Sequence, residues 1–133
     1  MIIESGLTHE TSITVQESDT ARAGGGANLP PVLSTPKLIS YLERTAHAAL
    51  LPHLEPGQSS VGTMVSIRHL AATPVGMQAR FRAELIAVDG RKMTFKIEAW
   101  DAVEKIAEGE HERFVIDVER FEGRLLKKTQ QAG

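Results

Sequence analysis

The clearest pattern along the chain is a strict alternation of side chains in the stretch VGTMVSIRHL, residues 61–70. Successive side chains of a strand point to opposite faces, so counting by two divides this stretch into two faces. One face holds Val61, Thr63, Val65, Ile67 and His69, and the other holds Gly62, Met64, Ser66, Arg68 and Leu70. The first face is the one expected to be buried. The pattern therefore predicts an imidazole, that of His69, on the inner face of a strand.

One convincing helix is predicted, with Pro36 at its first position and its end before Pro52. Apolar residues recur in it at helical spacing, at Leu38, Ile39, Leu42, Ala46, Ala49 and Leu50. Ser34 and Thr35 are both typical N-cap residues, and Thr35 is the better candidate because it directly precedes Pro36, which suits the first helical position. The helix should have about four turns at 3.6 residues per turn.

The other periodic segments predict antiparallel strands. A first strand should cover residues 7–15, and alternation continues through 77–85 and 93–97, on either side of an Asp-Gly hairpin signature at 88–91. A last long strand should cover residues 106–121. One helix with five or six strands predicts an α+β fold, in which the sheet wraps the apolar stripe of the helix.

Two segments lack this periodicity. Residues 20–33, TARAGGGANLPPVL, combine three consecutive glycines with two prolines and predict a flexible, lid-like loop before the helix. Residues 125–133 are predicted to form a frayed tail. A chain of 133 residues is most simply one domain, covering residues 1–133.

Composition narrows the possible classes of function. A formal net charge of −2 provides no basic surface of the kind that nucleic acid requires. The absence of cysteine excludes disulfides, thiolate metal sites and cysteine nucleophiles, and it is compatible with a reducing cytoplasm. No apolar run is long enough to span a bilayer, and the N-terminus lacks the apolar core of a signal peptide. We therefore expect a cytoplasmic protein that binds neither nucleic acid nor membranes.

Three residues are candidates for chemistry, although each also has a plain structural interpretation. Thr35 can simply cap the helix, Glu43 can border the apolar stripe and reach water, and His69 can be a core histidine satisfied by backbone groups. Together they supply the hydroxyl, carboxylate and imidazole used in acyl transfer. The helix N-terminus and the backbone near Gly62 could donate N–H groups to a developing oxyanion. No spacing typical of metal ligands occurs, so no metal site is predicted.

The run STPKLISYLERTAHAALLPHLEPGQSSVGTMVSIRHLAATPVG, with the later GEHERFVID and KKT, resembles the fluoroacetyl-CoA thioesterase-like hotdog proteins. The similarity extends from about residue 32 to the end, and its most specific parts are LEPGQSSVGT, HLAATPVG and HERFVI. The resemblance implies a hotdog fold, which is one long central helix wrapped by a five- or six-stranded antiparallel sheet. It also implies a homodimer with sites at the interface between subunits.

The resemblance also implies roles for individual residues. Thr35, Glu43 and His69 fall on the catalytic threonine, glutamate and histidine of the family. Gly62 falls on its active-site glycine, and Arg113 matches an arginine of its pattern. The implied activity is hydrolysis of a small acyl-CoA, with coenzyme A as part of the substrate and no separate cofactor.

The loop before the helix departs from the family pattern. Fluoroacetyl-specific members carry phenylalanines there that form an apolar lid, whereas this chain has Gly26 and Leu29 near those places and no aromatic residue. We therefore expect a thioesterase without strict fluoroacetyl specificity. Two alternatives on the same fold remain, a non-catalytic acyl-CoA-binding protein and an enoyl-CoA hydratase-type enzyme. The sequence leaves open the acyl group and whether Thr35, Glu43 or water is the nucleophile.

Overall fold

The computed structural model describes residues 2–133, which form a five-stranded sheet with one long helix packed on it. The elements are β1 (Thr8–Thr14), α1 (Ala21–Gly25), α2 (Thr35–Leu50), β2 (Gln58–His69), β3 (Gln78–Asp89), β4 (Lys92–Asp101), β5 (Lys105–Asp117) and α3 (Val118–Ala132). The strand order is β1-β3-β4-β5-β2, and every neighbouring pair is antiparallel. This arrangement confirms the predicted α+β fold.

The core lies between α2 and the sheet. The apolar stripe of α2 buries Leu38, Leu42, Ala46, Ala49 and Leu50, and the sheet contributes a matching set of buried side chains that includes Phe81, Leu85, Phe95, Ile97 and Ile106. Each fully buried leucine, isoleucine or phenylalanine side chain contributes about 1.5–3 kcal/mol to stability. The helical period read from the sequence therefore identifies the side of α2 that faces the sheet.

The Asp-Gly hairpin is also confirmed. Asp89 pairs with Lys92, which leaves Gly90 and Arg91 as a two-residue connection between β3 and β4. Gly90 has φ of 59°, a left-handed conformation that glycine adopts without steric cost.

The start of α2 differs from the prediction by one residue. Ser34, not Thr35, is the N-cap, because its extended backbone directs the hydroxyl to the backbone N–H of Lys37, which donates at 3.2 Å. Thr35 is instead the first residue of the helix, followed by Pro36 in the first turn, where no backbone donor is needed. The Thr35 hydroxyl is therefore not used as a cap.

A β-bulge in β2 changes which residues face the helix. The register between β2 and β5 shifts between Gly62 and Met64, so Thr63 is an extra residue on the β2 side. Gly62 pairs with the buried Arg113, and Val65 pairs with the buried His111. The prediction of one continuous inner face was therefore wrong before the bulge, because Gly62 is on the inner side and Val61 and Thr63 are not.

The C-terminal segment differs most from the prediction. β5 ends at Asp117, and residues 118–132 form helix α3, so neither the strand to residue 121 nor the frayed tail at 125–133 is observed. The spacing of Val118, Phe121 and Leu125 is helical, but no residue in the described 118–132 range is buried. The alternation of apolar side chains at the end of β5 continues into Val118. The sequence pattern therefore does not show where the strand ends and the helix begins.

The segment 20–33 is more ordered than the flexible loop that the sequence predicts. It contains the short helix α1, and its two ends are joined by a bridge between Thr20 and Leu33. The Tyr41 hydroxyl of α2 donates to the carboxylate of buried Asp19 at 2.5 Å, which fastens the base of the loop to the central helix. The loop therefore lies against the N-terminal end of α2.

Within residues 2–133, no helix combines the length and apolar character needed to cross a membrane. The same part of the chain contains no group of three or more histidine, aspartate or glutamate side chains placed to hold a metal ion.

Candidate active site

Thr35 and His69 meet where α2 begins and β2 ends. Oγ1 of Thr35 and Nδ1 of His69 are 2.8 Å apart, which is a hydrogen bond. The approach is fixed by the backbone, because the N–H of Leu33 donates to the carbonyl of Thr73 at 2.9 Å. This bond ties the segment that enters α2 to the segment that leaves β2. A hydroxyl and an imidazole thus lie together at the positive end of a helix dipole.

His69 is suited to accept a proton. Burial lowers its pKa below the ordinary histidine value of 6.5, and a backbone group of Ala71 counteracts part of this effect. Its Nε2 atom is buried and has no hydrogen-bond partner among the described residues. With the proton on Nε2, Nδ1 accepts from the Thr35 hydroxyl, which is the tautomer that a base acting on this hydroxyl requires; with the proton on Nδ1, the imidazole donates to Thr35 instead.

Glu43 lies in a second cluster with Gly62 and Arg113. Its Oε2 atom is 3.7 Å from Nη1 of Arg113, and the glutamate side chain is 39% exposed. A Cβ atom at Gly62 would lie 2.8 Å from the same Oε2 atom. Glycine at this position therefore leaves room for the carboxylate beside the strand.

Arg113 is held mainly by groups that the sequence did not reveal. Its guanidinium is buried and donates through Nε to the Ser60 hydroxyl at 2.7 Å and through Nη2 to the Ser60 carbonyl at 2.9 Å. Nη1 donates to Nε2 of His111 at 3.2 Å. Burial lowers the pKa of Arg113 and the nearby Glu43 opposes that shift, but an arginine stays charged. Arg113 was among the predicted site residues, whereas His111 was not, and the signal that could have identified His111 is its position two residues before Arg113 on the buried face of β5.

The two clusters are separate within one chain. Thr35 and Glu43 are eight residues apart on α2, or about 12 Å at 1.5 Å per residue. Gly62 and His69 are seven residues apart on β2, or about 20 Å at about 3.3 Å per residue when the extra residue of the bulge is discounted. The structure therefore brings Thr35 to His69, and Glu43 to Gly62 and Arg113, but it does not bring the two sets together in one subunit.

Each cluster borders a cavity. A cavity of about 660 Å³ lies between the 20–33 loop and the start of α2, and its lining includes Leu29, Thr35 and Ser40. Leu29 packs in the space that a side chain at Gly25 would occupy, whereas Gly26, with φ of 121°, does not line the cavity.

A second cavity of about 320 Å³ follows along α2. It is lined by Ser40, Glu43, Arg44, His47 and Arg113. Ser40 lines both cavities, so they adjoin on the same side of the helix. An extended ligand lying along this side of α2 could contact both.

The fold, together with the following similarities to known proteins, identifies this chain as a hotdog-fold thioester hydrolase. The family model for the fluoroacetyl-CoA-specific thioesterase FlK matches residues 15–119. The fluoroacetyl-CoA thioesterase of Streptantibioticus cattleyicolor is 39% identical over 103 residues, which are 77% of this chain and 74% of that protein. The chain therefore belongs to the fluoroacetyl-CoA-specific thioesterase family.

Solved structures agree with this assignment. A phenylalanine-to-alanine variant of FlK in complex with fluoroacetate and CoA superimposes with a TM-score of 0.85 and is 34% identical, covering 90% of this chain and 99% of that one. A hot-dog-like protein from Thermanaerovibrio acidaminovorans has a TM-score of 0.86 and 25% identity, covering 93% and 91% of the two chains. These structures confirm the hotdog fold implied by the resemblance.

Proposed function

We propose that this protein hydrolyses a small acyl-CoA thioester with Thr35, Glu43 and His69. The observation that carries the proposal is the hydrogen bond of 2.8 Å between Thr35 and His69, whose pKa is lowered by burial so that the imidazole is neutral at pH 7. The complex of the FlK variant with fluoroacetate and CoA supports a substrate of this class. Coenzyme A enters as part of the substrate and leaves as the free thiol, and the expected cytoplasmic location belongs to the same proposal.

In the proposed reaction His69 is the general base. It removes a proton from water or from the Thr35 hydroxyl, and the resulting nucleophile attacks the thioester carbonyl. Backbone N–H groups at the start of α2 and near Gly62 stabilise the oxyanion, after which the C–S bond breaks and the CoA thiolate takes up a proton. Attack by water gives the free acid directly, whereas attack by Thr35 leaves an acyl-threonine ester that a second water, activated by His69, hydrolyses. Glu43 either orients and polarises the reacting groups or attacks the carbonyl itself to form an anhydride that water then hydrolyses.

The separation of the two clusters supports a site shared between two subunits. β2 is an edge strand whose outer side pairs with no other strand in residues 2–133. Antiparallel pairing of two β2 strands about a two-fold axis near residues 65–66 sets His69 opposite Gly62 of the partner subunit. Thr35 and His69 of one subunit then face Glu43 of the partner subunit. A homodimer is thus part of the proposal, because the site is incomplete without it.

The activity should fall at acidic pH with a midpoint below the ordinary histidine value. Burial lowers the pKa of His69, so the imidazole stays neutral at pH 6.5 and becomes protonated only at lower pH. A protonated imidazole cannot accept a proton, so kcat/KM should fall as pH decreases through that lowered pKa. The pH profile of kcat/KM measures this midpoint, and a midpoint clearly above 6.5 would contradict the assignment of the half-buried His69 as the base.

Selectivity for fluoroacetyl over acetyl groups should be weak. Discrimination between fluorine and hydrogen needs close, dry apolar contacts, and the 20–33 loop offers Gly24, Gly25, Gly26 and a Leu29 that is 39% exposed. We expect a kcat/KM ratio for fluoroacetyl-CoA over acetyl-CoA of below about 10². Acyl groups larger than acetyl should also be accepted. Competition between the two esters measures the ratio, and a value of many thousands would show that an aromatic lid is not the source of discrimination.

Thiol release across a panel of acyl-CoAs tests the proposed function. An acyl-CoA-binding protein would bind the esters saturably without releasing thiol. A hydratase-type enzyme would change the acyl chain of an enoyl-CoA and leave the thioester intact. Either outcome, with no thiol released from any ester, would overturn the proposal.

A further inference from the structure

His111 is a fully buried histidine on β5 whose protonation state is fixed by its neighbours. Its Nδ1 atom lies 2.8 Å from the carbonyl of Met64, and a carbonyl only accepts, so Nδ1 carries the proton and donates it. Its Nε2 atom therefore has a lone pair, which accepts from Nη1 of Arg113 at 3.2 Å. Burial lowers the pKa of His111, the hydrogen bond to Met64 opposes this shift, and the charge of Arg113 adds to it. The ring is a neutral acceptor that faces a cation.

Ser60 holds the other two nitrogens of the same guanidinium. Its hydroxyl accepts from Nε of Arg113 and its carbonyl accepts from Nη2, at 2.7 and 2.9 Å. The hydroxyl proton can be donated to Nδ1 of His47, which is 2.7 Å away and whose pKa is lowered mainly by burial. All three nitrogens of Arg113 thus have fixed partners on two neighbouring strands.

The contact from Arg113 to Glu43 is looser than these bonds. At 3.7 Å it is an ion pair without hydrogen-bond geometry, and the carboxylate is partly exposed. Such an ion pair holds the Glu43 side chain in place more effectively when the cation is already fixed. If both side chains were mobile, both would lose conformational entropy on pairing, and the ion pair would be weaker.

We propose that His111 and Ser60 are positioning residues, which fix the Arg113 guanidinium so that it holds the Glu43 carboxylate beside Gly62. The inference rests on the proposed function, in which Glu43 takes part in hydrolysis. It gives Arg113 a role that needs no direct contact with the acyl group. Neither His111 nor Ser60 has to touch the substrate.

Steady-state kinetics of matched variants test this role. His111→Phe keeps an aromatic ring against Phe95, whose ring centroid lies 6.4 Å from that of His111, but removes the acceptor for Arg113. We expect kcat to fall about 10- to 100-fold with KM unchanged, because the carboxylate is misplaced while the substrate still binds. His111→Gln, which offers an amide oxygen to Nη1, should recover part of the loss. Ser60→Ala should behave like His111→Phe and provides a second variant if that one fails to fold.

Thr45→Val is the matched control. Thr45 is buried on α2, and its hydroxyl bonds to Thr11 and to the carbonyl of Tyr41, away from Arg113. Its removal costs part-buried hydrogen bonds between neutral groups, so it should lower thermal stability and leave kcat and KM unchanged. A fall of kcat in Thr45→Val as large as in His111→Phe would assign the effect to general destabilisation and overturn the proposal.

A readout that does not depend on activity separates this inference from the proposed function. In ¹⁵N-arginine spectra the Nε–H of Arg113 should exchange slowly in the wild type and rapidly in Ser60→Ala, and the Nη1 hydrogens should exchange more rapidly in His111→Phe than in the wild type. If the wild type released no thiol, the proposed function would fail and the inference with it. A different result would overturn only the positioning role. In that case the wild type is active and Glu43→Gln is inactive, but His111→Phe and Ser60→Ala both keep the full kcat.

Discussion

Replacement of His69 by alanine is expected to lower kcat/KM for acyl-CoA hydrolysis by at least about 10²-fold while the fold is retained. A general base typically contributes 10²–10⁴-fold, and the imidazole of His69 is the half-buried, neutral group that contacts the Thr35 hydroxyl. Its loss should be more severe than the loss of a single oxyanion donor, which costs about 10²–10³-fold. Thiol release at saturating and limiting acyl-CoA gives kcat and kcat/KM separately.

His53→Ala is the control for this substitution. His53 is exposed in the turn that follows α2, and it should give wild-type kinetics. Circular dichroism and elution volume should match the wild type for both variants. Normal turnover by His69→Ala would rule out the proposed mechanism.

Two inactive variants are expected to restore activity to each other. In a heterodimer of His69→Ala and Glu43→Gln subunits, one shared site carries both changes and the other carries neither. Such a heterodimer, isolated with two affinity tags, should have about half the activity of the wild type, because one of its two sites is intact. A random mixture of the two variants should reach about a quarter, since about half of its dimers are heterodimers. Thiol release by purified heterodimers measures the recovery.

Heterodimers of His69→Ala with Thr35→Ala provide the matched control. Both changes fall in the same cluster, so every site carries one of them and no recovery should occur beyond the activity of the parent variants. Light scattering should give about twice the 14.5 kDa chain mass, or a multiple of that value. A heterodimer of His69→Ala and Glu43→Gln that stayed inactive would show that the site does not combine residues of two subunits.

The local elements of this protein could be read from its sequence because their signals are local. The 3.6-residue period identified α2 and its buried stripe, and Asp89 with Gly90 marked the hairpin between β3 and β4. The alternation of β2 also made His69 a candidate, because it is a polar side chain in line with apolar ones. The family resemblance added roles for Thr35, Glu43 and His69, and these remain proposals that the variants above test.

Other features depended on competition between nearly equal local signals. Ser34 and Thr35 can each cap a helix. The path of the backbone into α2 makes Ser34 the N-cap, so the Thr35 hydroxyl is available to form a hydrogen bond with His69. The alternation that ends β5 continues into Val118, so strand and helix fit the same residues until the chain turns. In such cases tertiary packing decides, because the local free-energy differences are small.

The arrangement of the candidate site was decided by the tertiary structure. One extra residue in β2 moves Gly62 to the inner face, and the alternation alone contains no trace of that insertion because a strand repeats every two residues. Hydrogen bonds join Arg113 to Ser60, which lies 53 positions earlier in the chain. Only the pairing of β2 with β5 brings these two residues together. The sequence thus determined which side chains are available for chemistry. The register of distant strands determined which of them meet.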